Sequence, residues 1–214
     1  MIVLGIHTAG PACELALVSD QRRIGEVRED MIRGQDARLP DLVTGVLEDA
    51  SLSLKDIDRF AVVTGPGSFT GIRVGVAFGR GLALATGKPC LGVTTLEAAL
   101  PEGQQGSAIV ALPAQKRPPD ITFWAQTFRT GMPTDNAIEL AADDLTTLLH
   151  EHPHMVYGDV AAVSPHLEGG SVHPATPSAT RAAIYAVSLN PEERLARPTY
   201  ARQPDAALPK PRPQ

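Results

Sequence analysis

The chain has 214 residues, 43% of them hydrophobic, and a formal net charge of −5. That is enough apolar material for one large or two small cores, and the balance is too acidic for a protein that holds nucleic acid by its own phosphate neutralisation. No apolar run reaches membrane-spanning length and no basic leader precedes the first strand, so a cytoplasmic location without membrane contact is expected; Cys13 and Cys90 are isolated and read as reduced core thiols.

Residues 1–6 form a continuous apolar run suited to a buried strand, ended by Ala9-Gly10-Pro11. Residues 13–18 and 23–29, on either side of the Ser19-Asp20-Gln21 turn, extend it into a three-strand meander. Leu39, Leu42, Val43, Val46, Leu47 and Ala50 then recur at three- and four-residue spacings opposite Asp41, Glu48 and Asp49, the pattern of an amphipathic helix with Pro40 in its first turn. Residues 60–63 read as a short buried strand.

The turn after it is rich in glycine: Gly65-Pro66-Gly67-Ser68-Phe69-Thr70-Gly71-Ile72-Arg73-Val74-Gly75. Ser68 or Thr70 can accept a hydrogen bond from the first turn of a helix and Gly87 sits where a left-handed cap belongs, which predicts a helix over 70–86. At 100° per residue Gly71, Gly75 and Gly79 share one side, Arg73 and Arg80 make the polar stripe, and the rest is apolar. Three interior glycines each cost about 0.5–1 kcal/mol relative to alanine, so a close backbone approach is implied. An apolar surface nearly all round implies a second neighbour as well. Gly65, Gly67, Ser68, Thr70 and Gly71 could instead cradle phosphate at a helix N-terminus, but no lysine follows the last glycine and no dinucleotide fingerprint is present. A turn that serves packing, with at most a weak phosphate contact, is the favoured reading.

From residue 106 the order of elements starts again: apolar 108–112, aromatic and β-branched 121–128, a third strand over 136–140, helix over 142–150, strand over 155–158 and helix over 179–189. The pattern is a second βββαβα unit, which divides the chain into a first lobe over 1–103, a smaller second lobe over 104–190 and a proline-rich segment over 191–214. That segment carries five basic against three acidic residues, and an extended strap near Tyr200 is expected from it.

Few groups suggest chemistry. His150, His152 and His154 alternate before and after Pro153 and read as a solvated loop after a helix. His7, at the end of the first strand, stands where open sheets place ligand groups, yet has no acidic partner near in sequence and reads as a structural histidine. Gly-x-Ser-x-Gly is absent.

The glycine-rich segment, with Gly81-Leu82-Ala83 and Gly92-Val93-Thr94-Thr95-Leu96-Glu97-Ala98 after it, closely resembles the TsaB (YeaZ) family, and Pro198-Thr199-Tyr200-Ala201-Arg202 is similar to the family's Pro-x-Tyr-x-Arg ending. The resemblance implies tandem actin/Hsp70-like (ASKHA, RNase H-like) α/β lobes and a non-catalytic subunit of the bacterial machinery that makes N6-threonylcarbamoyladenosine in tRNA. It further implies a homodimer in isolation, pairing with a catalytic TsaD-like paralogue through the helices of the first lobe, a TsaE-like ATPase in the complex, and tRNA met only through that complex. On those helices the residues singled out for the interface are Arg38, Leu42, Val46, Phe69, Arg73, Val74, Ala77 and Phe78. No catalytic residue, metal or cofactor is assigned to this chain alone, ATP or ADP and a metal being expected on the partner subunits. TsaD-like proteins carry a metal-binding histidine pair on a first-lobe helix, whereas 33–43 here has no histidine. The chain also departs from its own family: His7-Thr8 replaces Asp-Thr, Gly34-Gln35-Asp36-Ala37-Arg38-Leu39 replaces Gly-His-x-Glu-Arg-Leu, and Pro113-Ala114-Gln115-Lys116-Arg117 replaces Asp-Ala-Arg-Arg. These losses count against the alternative of an autonomous ASKHA-type ATPase or glycoprotease.

Overall fold

The computed structural model describes residues 1–31, 33–117, 120–151 and 155–201. A first unit is built from β1 (Ile2–His7), β2 (Ala12–Ser19), β3 (Arg22–Asp30), α1 (Gln35–Asp49), β4 (Arg59–Val63), α2 (Phe69–Thr86) and β5 (Cys90–Val93). A second follows with β6 (Ser107–Arg117), β7 (Asp120–Arg129), β8 (Met132–Pro133), β9 (Ile138–Ala141), α3 (Ala142–Glu151), β10 (Met155–Gly158), α4 (Val160–Val163) and β11 (Val172–Pro174), and α5 (Ala179–Val187) comes last.

The apolar N-terminal run is central because both its edges are paired: β1 is antiparallel to β2 and parallel to β4, giving the order β3-β2-β1-β4-β5. The second sheet runs β11-β10-β6-β7-β8, with β9 also on β7. A meander, a helix, a parallel strand and a second helix over a mixed sheet make the ASKHA lobe, so the fold class read from the sequence holds. β5 was not foreseen: its four residues, interrupted by Gly92, give too short an apolar run to stand out beside a long helix.

Consecutive residues of β1 face opposite sides of the sheet. Ile6 and Val62 point to the α2 side, where Cβ atoms on Gly75 and Gly79 would collide with Thr8 and Val62 respectively and one on Gly71 would overlap the Thr8 carbonyl oxygen. The glycine side of α2 is therefore the side laid on the sheet, with the Thr8 hydroxyl donating to the Gly71 carbonyl at 2.7 Å. Helix α1 packs beside α2 on the same face, Val46 closing over Gly25 of β3. Ser68 accepts from the Gly71 amide at 3.2 Å and Gly87, at φ 69°, ends the helix, both as the sequence indicated.

Gly5 points the other way, to α5. The second-unit pattern had assigned this helix to the second lobe; it instead covers the first sheet, on the face that carries Val3, Gly5 and Ala61. The reason is steric. Its buried face is Ala179, Ala182, Ala183 and Ala186, spaced for one helical stripe, and so narrow a face gains contact only where the sheet lets the backbone come close. Gly5 is that place, since a methyl group there would overlap the Ala179 carbonyl.

After α5 the chain runs as the expected strap. Leu195 bridges Leu91 of β5, the Gly92 amide donates to the Arg194 carbonyl at 2.8 Å, and the Thr199 amide donates to the Thr64 carbonyl at 2.8 Å. The strap thus occupies the outer edge of β5, which would otherwise expose unpaired backbone groups. Beneath it Thr94 and Glu97 cap one another reciprocally, amide to carboxylate at 2.7 Å and amide to hydroxyl at 3.0 Å, and the buried Glu97 carboxylate also pairs with Arg194 of the strap at 2.8 Å.

Gly5→Ala and Gly71→Ala should each destabilise the protein by about 2 kcal/mol or more through overlap with backbone atoms, whereas Gly81→Ala, on the same helix with open space around it, should stabilise it by roughly 0.5–1 kcal/mol. Urea unfolding followed by circular dichroism separates the two classes; equal effects at residues 71 and 81 would contradict the packing described.

Candidate docking surface

With its glycines against the sheet, α2 turns the opposite side outward. Phe69, Arg73, Ala77, Arg80, Gly81, Leu84 and Ala85 are exposed, with Val74 and Phe78 half-buried along the flank. Leu84 is 87% exposed and Phe69 46%. A leucine and a phenylalanine left in water beside two arginines, on a face whose other residues are alanine and glycine, make this side of the helix the candidate contact surface. Its charges are both arginines, while the neighbouring exposed side of α1 carries Asp36, Asp41, Glu48 and Asp49 against Arg38. The two-helix layer is therefore basic along one helix and net acidic along the next.

The residues singled out from the sequence divide. Phe69, Arg73 and Ala77 lie on the outward face, and Val74 and Phe78 reach it partly while also packing on the first core. Leu42 and Val46 do not: at 8% and 3% exposure they point from α1 into the first core and cannot meet a partner without unfolding. The amphipathic stripe that predicted α1 had already assigned them inward. Arg38 is exposed but engaged, held by Glu29 at 2.8 Å and Asp41 at 3.0 Å. Leu84 and Tyr200 were missed. Leu84 continues the stripe Phe69, Arg73, Ala77 at four- and seven-residue steps, so the signal was present; Tyr200 reaches the face only through tertiary structure.

Tyr200 of the strap lies against the start of α2, its ring 5.3 Å from that of Phe69. The Arg73 guanidinium sits 3.7 Å over the Phe69 ring and its Nε donates to the Tyr200 hydroxyl at 3.2 Å.

The turn before α2 is filled by its neighbours. The Ser68 amide donates to the Ala9 carbonyl at 2.8 Å, the Thr95 amide to Gly65 at 2.8 Å and the Thr95 hydroxyl to Pro66 at 2.6 Å. A Cβ on Gly65 or Gly67 would strike the Thr199 or Ala9 carbonyl. Packing accounts for these glycines and for Gly71; Thr70 is exposed.

His7 ends β1 in a row with Glu14 on β2 and Arg28 on β3. Arg28 pairs with Glu14, whose other oxygen accepts from the Ala179 amide at 3.3 Å and so caps α5. His7 is 5% exposed, and its Nδ1 is a buried side-chain nitrogen without a hydrogen-bond partner among the described residues. Burial, aided by the positive charge of Arg28, pushes its pKa down to about 4, so the ring is held neutral. Burial pushes the Cys13 and Cys90 thiols up to about 11 and about 12, which keeps them protonated and inert. Among the described residues no three His, Cys, Asp or Glu side chains are grouped to hold a metal ion, and no helix is long and apolar enough to cross a membrane. His152 and His154 lie outside the described residues, as do Pro118 and Pro119.

Because the folded state lowers the pKa of His7, the unfolded chain binds the extra proton first as pH falls from 6.5 to about 4, and stability contributed above 6.5 is lost across that window, roughly 3 kcal/mol at most. Glu14, whose carboxyl burial pushes up, works in the opposite direction. His7→Asn should accordingly lose less stability than the parent between pH 6.5 and 4 in denaturant titrations; parallel curves would show that His7 is not buried neutral.

A family model described as "TsaD: tRNA N6-adenosine threonylcarbamoyltransferase" matches residues 21–163. The tRNA threonylcarbamoyladenosine biosynthesis protein TsaB of Escherichia coli (strain K12) is 40% identical over 96 residues, 45% of this chain and 41% of that protein; the match therefore spans less than half the length of that relative. An uncharacterized protein of Mycobacterium tuberculosis (strain H37Rv) is 31% identical over 208 residues, 95% of this chain and 93% of that one. YeaZ from Pseudomonas aeruginosa superposes with a TM-score of 0.71 at 21% identity, over 93% of this chain and 99% of that chain, which shows a shared fold. The glycine-bearing α2 that set the resemblance lies within the matched segment, and the chain belongs to the TsaD-like family, within which it is similar to TsaB (YeaZ).

Proposed function

We propose that this chain is a non-catalytic scaffold and activating subunit for tRNA threonylcarbamoyladenosine synthesis, working in the cytoplasm and docking a catalytic TsaD-like paralogue on the outer face of α2. The observation that carries this reading is the exposed stripe Phe69, Arg73, Ala77 and Leu84 on a helix whose other side is fully used by the sheet. Apolar residues at its centre supply burial and the arginines supply register and hydrogen bonding. The acidic ridge of this chain's own α1 meets the arginines of α2 when two copies of the layer face each other about a two-fold axis. The family model spans both helices, so a TsaD-like paralogue brings a helix pair of the same family to this face. The same self-complementarity supports a homodimer when the paralogue is absent. The TsaE-like ATPase, tRNA, ATP or ADP and a metal enter this proposal through the partner subunits, as does the chemistry.

A crevice of about 430 Å³ between the end of β5, the strap and the second sheet, lined by Thr94, Glu97, Gln126, Asp135 and Arg194, keeps a second reading open, that of an autonomous ATPase, since open α/β sheets bind ligands beyond the carboxyl ends of their strands. Purified chain that hydrolyses ATP with magnesium would establish it. Reconstitution tests the favoured reading. Threonylcarbamoylation of tRNA by the TsaD-like and TsaE-like proteins with the carbamoyl-adenylate synthase should require this chain, and modification at full rate without it would sink the proposal.

Ala77→Glu places a carboxylate at the centre of the exposed stripe without touching the core. It should weaken binding of the TsaD-like paralogue at least tenfold while far-UV circular dichroism stays unchanged; undiminished binding would remove α2 from the interface.

A further inference from the structure

The stack at the start of α2 joins two elements more than a hundred residues apart in sequence. Phe69 and Arg73 come from the helix and Tyr200 from the strap. Aromatic and arginine side chains are those that most often dominate binding at interface centres, and here they are already ordered by one another while Phe69 and Tyr200 remain 46% and 43% exposed. Side chains fixed before contact lose little further freedom on binding. Arg73 spends its Nε on the Tyr200 hydroxyl; its terminal nitrogens make no hydrogen bond or ion pair among the described residues, and a guanidinium fork so placed is suited to a carboxylate.

Tyr200 owes its place to the strap. The neighbouring Thr199 is held by its amide on Thr64 and by the contact of the two threonine hydroxyls at 3.2 Å, and the strap behind it is fastened at Leu91 and Glu97. Any partner covering Phe69 and Arg73 must also cover Tyr200.

We propose that the strap and α2 form one composite docking surface for the TsaD-like paralogue, in which Tyr200 is the anchor at one end and Arg73, oriented by Tyr200, receives a carboxylate of that partner. This rests on the docking reading above and adds a coupling: seating of the strap and binding of the partner stabilise each other by the same factor. The strap is then a working part of the interface as well as a cover for the β5 edge.

Calorimetric titration of the TsaD-like paralogue into the intact chain and three variants tests this. Tyr200→Ala should weaken binding tenfold or more, Tyr200→Phe, which keeps the ring and loses the hydroxyl, about threefold, and Leu84→Glu at the far end of α2 tenfold or more. Hydrogen exchange at the Thr199 and Ala196 amides of the parent chain should slow in the complex, a change that a purely structural strap would not show. Tyr200→Ala binding as tightly as the parent while Leu84→Glu does not, or exchange at Thr199 unaltered by the partner, overturns the strap's role and leaves the docking reading standing. Parent-like binding by all three variants overturns both.

Discussion

The structure depends on backbones approaching the first sheet closely from both sides. On one side Gly71, Gly75 and Gly79 bring α2 onto Thr8 and Val62; on the other Gly5 receives the alanine stripe of α5. Dispersion falls away steeply with separation, so the glycine row of α2 and the alanine stripe of α5 gain contact only by coming this near. The glycines make the approach sterically allowed at the expense of helix propensity. Everything the molecule presents outward follows from this. A helix that buries Gly71, Ile72, Gly75, Val76 and Gly79 must expose its opposite side, and for α2 that side carries Phe69, Arg73, Ala77 and Leu84.

The same constraint explains which parts of the fold were legible in the sequence. Strands, caps and the α2 glycines are local signals: Ser68 and Gly87 bracket the helix, and three glycines four residues apart define a face before any neighbour is known. The partner of a face is not local. An alanine stripe at 179–186 says that a helix packs closely on something; that the something is β1, some 175 residues earlier, depends on Gly5, whose apolar run reads equally well as an ordinary strand. Counting elements as a repeat assigned α5 to the second lobe because repeat logic uses order and ignores side-chain size.

Legibility of the candidate docking surface divides along the same line. Arg73, Ala77 and Phe69 follow from helical geometry, and Leu84 would have followed from carrying the stripe two turns further. Leu42 and Val46 were placed outward against their own periodicity, since one amphipathic stripe cannot serve both the core and a partner. His7, read from the sequence as a structural histidine, lies buried in a row with Glu14 and Arg28, of which Glu14 caps α5, and burial holds its ring neutral.

Tyr200 is the instructive case, because two weak sequence features become one strong structural feature. A proline-rich segment resists regular structure, so its residues can follow whatever backbone edge is on offer. β5 is a short outer strand, and its open hydrogen-bonding edge takes up the strap at Arg194 and Ala196. The buried Glu97 carboxylate, left over from capping its own turn, holds the strap by Arg194, and Thr64 fixes Thr199 in place. By the time the chain reaches Tyr200 its course is determined to within one side chain of Phe69. The glycines that pull α2 down onto the sheet set the height of that ring, so the same close packing that leaves the outer face of the helix bare also positions the aromatic that completes it.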